Sequence, residues 1–386
     1  MNGIWYYVIG FFVVWTIAFI YKAHDKDSDN LEIDFPLLLM FKTKRFRGFI
    51  DKIANLSPKF WKWYMNVGIV ICFIAMVLMS YILIQSLSTV FETPSVSILI
   101  PGVEVPGSPI FIPFLSGLIA IALLIIVHEF SHGILSRVEG IDIKSIGMLL
   151  FVILPGAFVE PDEDQIEKAS RMSKLRIYGA GSMANIVLAV VALLLFAAIG
   201  NFAYPAVYDY QGVEIVQVLD DTPAQGHLKE SMVINQINDH VITNATSYSD
   251  AVLTLKPNSI ANISTDTGTY SFKLGSNPNN KSIGYMGIKA QQHMVIKENI
   301  KKTYGDVLPW GWSVLEDLLK WIYVVNLSVG LFNLLPMKPL DGGLMLKEVL
   351  SYKFKEENVK LITDFFTAFI AIIIIFSLVV GIVSAL

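Results

Sequence analysis

Two of the six histidines stand four residues apart in an apolar segment, and a glutamate follows the first of them. These residues are His128, Glu129 and His132. On a helix this spacing places both imidazoles on one face, where two ring nitrogens can bind one zinc ion. Glu129 can take a proton from zinc-bound water, whose pKa zinc lowers to about 7. The motif therefore predicts hydrolysis of an amide bond.

A zinc site with two histidines and a water needs a third protein ligand, which is usually a carboxylate. The candidates are Asp341, Glu160 and the acidic cluster Asp162, Glu163 and Asp164. Prolines distort the chain just before Asp341, and Gly342 and Gly343 permit close approach of the backbone. These features favour Asp341 over Glu160, although the residues alone leave both open.

The elements that carry these residues are built for a membrane. Hydrophobic residues make up 54% of the 386 residues and charged residues 16%, against about 25% charged in soluble domains. This composition excludes a soluble globule. Apolar runs long enough to cross about 30 Å of hydrocarbon cover residues 4–20, 65–90, 109–135, 177–199, 318–336 and 361–383. We therefore predict a polytopic α-helical membrane protein with about six transmembrane helices.

Basic residues indicate the orientation of these spans. Lys and Arg are concentrated between spans one and two, three and four, and five and six, and the positive-inside rule places those loops in the cytosol. Both termini then lie outside. His128 precedes Arg137 by nine residues, about 13 Å along a helix, so we expect the site in the cytosolic half of the bilayer. The first span has no clear cleavage site, and we expect an uncleaved anchor in a prokaryotic plasma membrane.

Polarity divides the chain into residues 1–64, 65–200, 201–312 and 313–386. The first part is an N-terminal anchor with a basic cytosolic segment, and the last is a C-terminal transmembrane half. The second part contains an apolar segment, 141–159, that Gly147, Pro155 and Gly156 interrupt, which predicts a re-entrant hairpin. Alternating residues and turns in 201–312 predict an external α+β module. The net charge of −4 argues against a nucleic-acid partner.

Four motifs resemble the signature of the site-2 proteases, which are intramembrane zinc metalloproteases. They are His-Glu-Phe-Ser-His-Gly at 128–133, Leu-Pro-Gly-Ala-Phe-Val-Glu at 154–160, Ala-Gly-Ser-Met-Ala-Asn at 180–185, and Asn-Leu-Leu-Pro with Pro-Leu-Asp-Gly-Gly at 333–343. The second motif is similar to the archaeal and eukaryotic branch. The motifs occur in the family's order, across the third to fifth predicted spans.

The resemblance implies a role for each matching residue. His128, His132 and Asp341 would hold one Zn²⁺, with Glu129 as the general base. Asn185 and Asn333 match asparagines that orient substrate or stabilise the oxyanion, although a lone Asn in a membrane helix also bonds neighbouring helices. The hairpin residues Gly156, Ala157 and Phe158 would offer a β-edge to an unwound substrate. The implied partner is a single-span membrane protein, such as a membrane-tethered transcription regulator or its inhibitor, within the lipid bilayer.

The external block is similar to a PDZ domain inserted between the catalytic spans. The similarity rests on residues 211–218, on Thr222-Pro223-Ala224 and on residues 233–242. Ser231-Met232 stands where the usual Gly-Asp would precede the hydrophobic pair. Such a module either binds peptide or excludes substrates with bulky external domains, and the sequence leaves both readings open.

Two other functions compete with proteolysis. A metal or solute transporter could use intramembrane His and Glu residues to coordinate its cargo, but the chain lacks the internal inverted repeats of many transporters. A catalytically inactive adaptor could act through the external module. It would have no use for a base beside two zinc ligands, so Glu129 argues against it.

Overall fold

The computed structural model describes residues 4–24, 31–34, 38–43, 46–91, 96–108, 110–152 and 154–384. It contains two compact units, one formed by Met1–Phe196 and Glu316–Leu386, the other by Ala197–Leu315. The second unit covers almost the same residues as the predicted module 201–312. Pro109, the first residue of the third predicted span, lies outside the described residues.

Both units contain helices and strands. In chain order, the helices are α1 (Ile4–His24), α2 (Arg47–Leu56), α3 (Pro58–Gln85), α4 (Phe114–Val138), α5 (Glu163–Lys168), α6 (Arg171–Ala198), α7 (Tyr204–Val207), α8 (Ala245–Thr254), α9 (Glu298–Tyr304), α10 (Val307–Phe332), α11 (Asp341–Leu350) and α12 (Glu356–Ser384). The strands are β1 (Leu31–Asp34), β2 (Leu38–Thr43), β3 (Ile143–Phe151), β4 (Leu154–Pro161), β5 (Tyr208–Val218), β6 (Val233–Ile237), β7 (His240–Val241), β8 (Ile260–Thr265), β9 (Gly268–Lys273), β10 (Gly275–Ser276), β11 (Gly284–Tyr285) and β12 (Ile288–Ile296).

Five helices in the described part of the chain are long and apolar enough to cross a membrane: α1, α3, α4, α6 and α12. Each carries large apolar side chains exposed on its surface, such as Ile372 of α12 at 66%. The fifth predicted span falls largely on α10, which has 26 residues. Glu316, Asp317 and Lys320 lie near the middle of this helix, whereas the charged residues of α6 and α12 lie near one end. The count of six transmembrane helices therefore stays a prediction.

Buried apolar residues from distant segments hold the first unit together. Its main cluster joins Met65 of α3, Leu135 of α4, Ala180 of α6 and Met345 of α11. These helices thus pack around one core. Since α4, α6 and the start of α11 carry the predicted site motifs, the core fixes the parts of the site relative to one another.

A buried ion pair also joins α4 to α6. Glu139, the residue after α4, has a side chain only 4% exposed, and its Oε1 accepts a hydrogen bond from Arg176 at 2.9 Å. Ser173 donates to the other carboxylate oxygen at 2.7 Å. Removing the Glu139 charge would leave Arg176, whose side chain is 15% exposed, without its counter-charge, which is destabilising.

An antiparallel sheet lies beside these helices in the order β1-β2-β3-β4. The segment predicted as a hairpin forms β3 and β4, which pair from Ile143 with Pro161 to Phe151 with Leu154. Gly147 has no side chain, and a Cβ there would collide with the ring of Phe158. Among the described strands, β4 pairs with β3 only, so its other edge is free for further contacts.

The second unit is a sheet packed with a helix. Its strands follow the order β12-β5-β6-β8-β9, with β7 paired to β6. Ile215, Ile234 and Ile263 are at most 1% exposed and form its core with residues of α8 and neighbouring loops. Asn244 caps α8 by accepting a hydrogen bond from the Ser247 N–H at 2.8 Å. The observed β-rich module with one longer helix agrees with the α+β prediction.

Candidate metal centre

Helix α4 brings His128 and His132 together, as their spacing predicts. Their Nε2 atoms are 3.2 Å apart. The Nδ1 atom of His132 lies 2.7 Å from the carbonyl oxygen of Ile177 in α6. A carbonyl oxygen can only accept, so Nδ1 of His132 carries the hydrogen and its Nε2 has a free lone pair. A hydrogen bond of this kind on the other ring nitrogen is typical of a metal-binding histidine.

Asp341, the first residue of α11, completes the cluster. Its Oδ2 lies 3.5 Å from Nε2 of His128, and its Oδ1 lies 3.5 Å from Nε2 of His132. The turn before α11 is held by the Gly342 N–H, which donates to the carbonyl of Asn333 at 2.8 Å. A Cβ at Gly342 would collide with the backbone of Leu334, so this close turn requires glycine.

The cluster fits a zinc ion in both distance and chemistry. Ligand atoms about 2.0–2.2 Å from a tetrahedral zinc lie about 3.4 Å from one another. The two Nε2 atoms are 3.2 Å apart, and each lies 3.5 Å from one oxygen of Asp341, which is Oδ2 for His128 and Oδ1 for His132. Two imidazole lone pairs and a carboxylate are all acceptors, and their convergence favours a cation between them. Among the described residues, only His128, His132 and Asp341 form such a metal-binding group.

Gly181 of α6 provides the space for the two imidazoles. A Cβ on this residue would lie 2.6 Å from Nε2 of His128 and closer still to Nε2 of His132. Even alanine would therefore occupy the position of the ligand atoms. The next residue, Ser182, is fully buried and donates a hydrogen bond to Oδ2 of Asp341 at 2.7 Å. This bond orients the carboxylate toward the histidines.

Asn185 lies one turn further along α6, and its side chain contacts His128. It is fully buried, and its Nδ2 lies 3.1 Å from Nδ1 of His128. Its Oδ1 is buried without a hydrogen-bond partner. With the two amide atoms exchanged, Oδ1 accepts a hydrogen bond from a protonated Nδ1. That arrangement leaves Nε2 of His128 free for a metal, as in His132.

Glu129 lies between α4 and the hairpin. Its Oε2 accepts a hydrogen bond from the backbone N–H of Val159 in β4 at 3.3 Å. Val159 thus directs its N–H away from β3, along the free edge of β4. By the alternation of a strand, Ala157 shares this edge, whereas Gly156 and Phe158 direct their amides toward β3. The predicted base and the predicted strand edge are therefore in contact.

The metal-binding group does not include Glu160 or the acidic cluster Asp162, Glu163 and Asp164. Glu160 is exposed and accepts a hydrogen bond from Ser145 at 2.5 Å. Asp162 caps α5 by accepting from the Gln165 N–H. Asn333 is partly exposed at the end of α10, where its carbonyl holds the turn before Asp341.

Two residues of the site, Gly181 and Ser182, were not singled out from the sequence. Both lie in the Ala-Gly-Ser-Met-Ala-Asn motif, of which only Asn185 was given a role. Gly181 precedes Asn185 by four residues, so the two share a helix face. This four-residue spacing from Asn185 could have identified Gly181 as a site residue.

Comparison with known proteins places the chain in a family. Residues 116–375, more than half of the chain, match the sequence model of Peptidase family M50. The chain belongs to this family. The matched region contains His128, His132 and Asp341, and the predicted resemblance to the site-2 proteases is confirmed. Membership of M50, together with the apolar helices, makes the chain an integral membrane protein of a metalloprotease family.

Individual relatives agree with this assignment. An uncharacterized protein of Methanocaldococcus jannaschii is 27% identical over 334 residues, which are 86% of this M50 chain and 81% of the relative. The membrane-bound transcription factor site-2 protease homolog of Arabidopsis thaliana is 26% identical over 117 residues, 30% of this chain and 23% of the relative.

Among solved structures, the PDZ domain of an SdrC-like protein from Listeria monocytogenes is similar to part of the chain. Its sequence identity is 20%, and the match covers 24% of this chain and 93% of the domain. The TM-score of 0.19 is too low to support an argument about fold.

Proposed function

We propose that this protein is an intramembrane zinc protease that hydrolyses peptide bonds within transmembrane segments of other proteins. The observation that carries the proposal is the convergence of Asp341 with His128 and His132 beside Glu129, on α4, a helix apolar enough to span a membrane. Ionisable groups are costly in hydrocarbon and persist there mainly when they are paired or functional. A peptidase family supplies the reaction class.

Each polar residue of the site has a distinct task in this proposal. His128, His132 and Asp341 hold Zn²⁺, which when bound activates water and polarises the scissile carbonyl. The Glu129 carboxylate takes the proton of the attacking water and passes it to the leaving amine. Asn185 and Ser182 orient the ligands. Asn333, which is less buried, contacts substrate or the developing oxyanion.

The free edge of β4 is where we propose that the substrate pairs. The amides of a helical substrate are already hydrogen-bonded, so the helix must unwind and form new bonds before cleavage. Gly156, Ala157 and Phe158 lie in β4, and Val159 links its free edge to Glu129. A strand added at this edge would pass beside the base.

The positive-inside pattern supports the wider arrangement. We propose six spans, with α10 as the fifth, and the active site in the cytosolic half of a prokaryotic plasma membrane. The β-rich unit is then an extracytoplasmic PDZ-like domain that either binds peptide or restricts substrate size. The substrate is a single-span protein, such as a membrane-tethered transcription regulator or its inhibitor.

The test compares the purified wild type with Glu129→Gln, using bound zinc and cleavage of a single-span model substrate as readouts. Both proteins should bind one zinc, and Glu129→Gln should cleave about 1,000-fold more slowly because it lacks the base. Glu160→Gln is the matched control, since Glu160 pairs with Ser145 away from the metal cluster. It should keep both zinc and activity.

The rival functions give different results. Equal cleavage by the wild type and Glu129→Gln would refute the assigned base. A zinc-loaded wild type that cuts nothing supports the inactive adaptor, whereas metal uptake into vesicles without cleavage supports the transporter. Asp341→Ala should lose zinc. If Asp341→Ala keeps zinc and Glu160→Ala loses it, Glu160 is the third ligand.

A further inference from the structure

A polar cavity lies at the C-terminal end of α4, away from the metal cluster. Its volume is about 510 Å³, and it is lined by Arg47, Asp51, Arg137, Asp142, Ile143 and Lys144. Arg137 donates to Asp51 at 2.6 Å and to Asp142 at 2.5 Å, so it engages both aspartates. Hydrogen bonds from Gln165 and Arg137 hold the pKa of the Asp142 carboxyl below its usual range.

Arg47 is a further cation of this cavity, and its charge also acts on Asp142. Its Nε is buried and makes no hydrogen bond to any residue that the structure describes. Lys144 is nearby and shares only a 3.6 Å contact with Asp162. With three basic and two acidic side chains, the lining has a formal charge of +1. An anion with oxygen acceptors would satisfy the buried Nε–H of Arg47.

An apolar groove of about 580 Å³ lies between α2 and α4. Its walls include Phe46, which directly precedes α2, with Phe49 and Ile53 of α2. Ile126, Phe130 and Ile134 of α4 form the other side. Phe46 and Phe49 are 54% and 53% exposed. Phe46 directly precedes Arg47, so the groove and the polar cavity are adjacent on α2.

The two sites together have the dimensions of a lipid. Ile126, Phe130, Ile134 and Arg137 follow each other at helical spacing along one face of α4. From Ile126 to Arg137 the helix rises about 16 Å, close to the roughly 15 Å thickness of one hydrocarbon leaflet. A charged end at Arg137 and an apolar groove along the preceding turns match a headgroup and its chains.

We propose that this composite site binds one anionic phospholipid, with its phosphate at Arg47 and its chains in the groove between α2 and α4. Charge favours an anionic lipid over a zwitterionic one, because the choline cation would approach Arg137 and Lys144. The chains would lie against Phe130, the residue after Glu129. The bound lipid is thus in contact with the helix that carries the metal ligands.

The test measures lipid binding to the delipidated full-length protein in detergent by native mass spectrometry. The probes are dioleoyl phosphatidylglycerol and dioleoyl phosphatidylcholine, which have the same chains. The wild type should bind the anionic lipid about tenfold more tightly, and Arg47→Gln should weaken that binding about tenfold. Lys52→Gln is the matched control, because Lys52 is exposed on the same helix and does not line the cavity.

Further variants separate the headgroup from the chains. Phe49→Ala should weaken both lipids equally, and Arg47→Lys should retain part of the preference for the anionic lipid. Equal effects of Arg47→Gln and Lys52→Gln would overturn the proposal. Displacement of the anionic lipid by inorganic phosphate alone, at equal concentration, would also overturn it by assigning the cavity to a soluble anion. Displacement by the single-span substrate would assign the groove to substrate instead.

Discussion

Replacing Gly181 with alanine should empty the metal site while leaving the fold intact. The added Cβ would lie 2.6 Å from Nε2 of His128, whereas ordinary contacts are about 3.5 Å. The methyl group also meets Nε2 of His132, so the two imidazoles cannot both retain their positions. Altering partners outside the ligand set costs 10–100-fold in metal affinity, and displacing ligand atoms should cost about 100-fold or more.

The effect can be distinguished from general damage to α6. Alanine is the better helix former by about 1 kcal/mol, so helix propensity works against destabilisation. Gly179→Ala is the matched control, because the nearest atoms to its Cβ would be side-chain atoms of Met345 and Cys72 at 3.3–3.5 Å. The zinc affinity of each variant can be measured by competition with a chelator. Gly181→Ala should bind zinc about 100-fold or more weakly than Gly179→Ala. Wild-type affinity in Gly181→Ala would show that the imidazoles do not bind the ion at this position.

Three further substitutions test the contacts around the site. Ser182→Ala removes the hydrogen bond to Asp341 and should lower zinc affinity about tenfold, measured by chelator competition, while a change below twofold would contradict an orienting role. Asn185→Leu should lower zinc affinity by about 10–100-fold, because Nδ1 of His128 loses its partner; unchanged affinity would reassign Asn185 to substrate. Glu139→Gln should lower the free energy of unfolding by about 3 kcal/mol in reversible detergent denaturation, since Arg176 stays buried without its counter-charge; a loss under 1 kcal/mol would mean that solvent screens the pair.

Much of the candidate site follows from local sequence rules. The four-residue spacing of His128 and His132 requires only a helix to bring the imidazoles together. Asp341 is more than 200 residues away in sequence, yet the prolines and glycines around it indicate a close turn. The apolar runs likewise predict long helices, because composition alone decides that property.

The remaining features depend on which faces of the helices meet. Helix α6 is apolar on nearly all sides, so its hydrophobic pattern does not reveal that Gly181 and Ser182 face α4. Gly181 acts by leaving space for the imidazoles, and it has no functional group that would mark it in the sequence. The pairing of β2 with β3 joins segments about 100 residues apart, and such nonlocal register is not encoded in either strand alone.

Three contacts tie α4 to α6 at successive levels. They join His128 to Asn185, His132 to the carbonyl of Ile177, and Glu139 to Arg176. From His128 to Glu139 they span about 16 Å of helix, so neither helix can rotate without breaking several of them. The ligand atoms are therefore preorganised by the protein itself, unlike those of small zinc domains that fold only around the ion. The metal should therefore bind and dissociate reversibly at a preformed site, without unfolding of the protein.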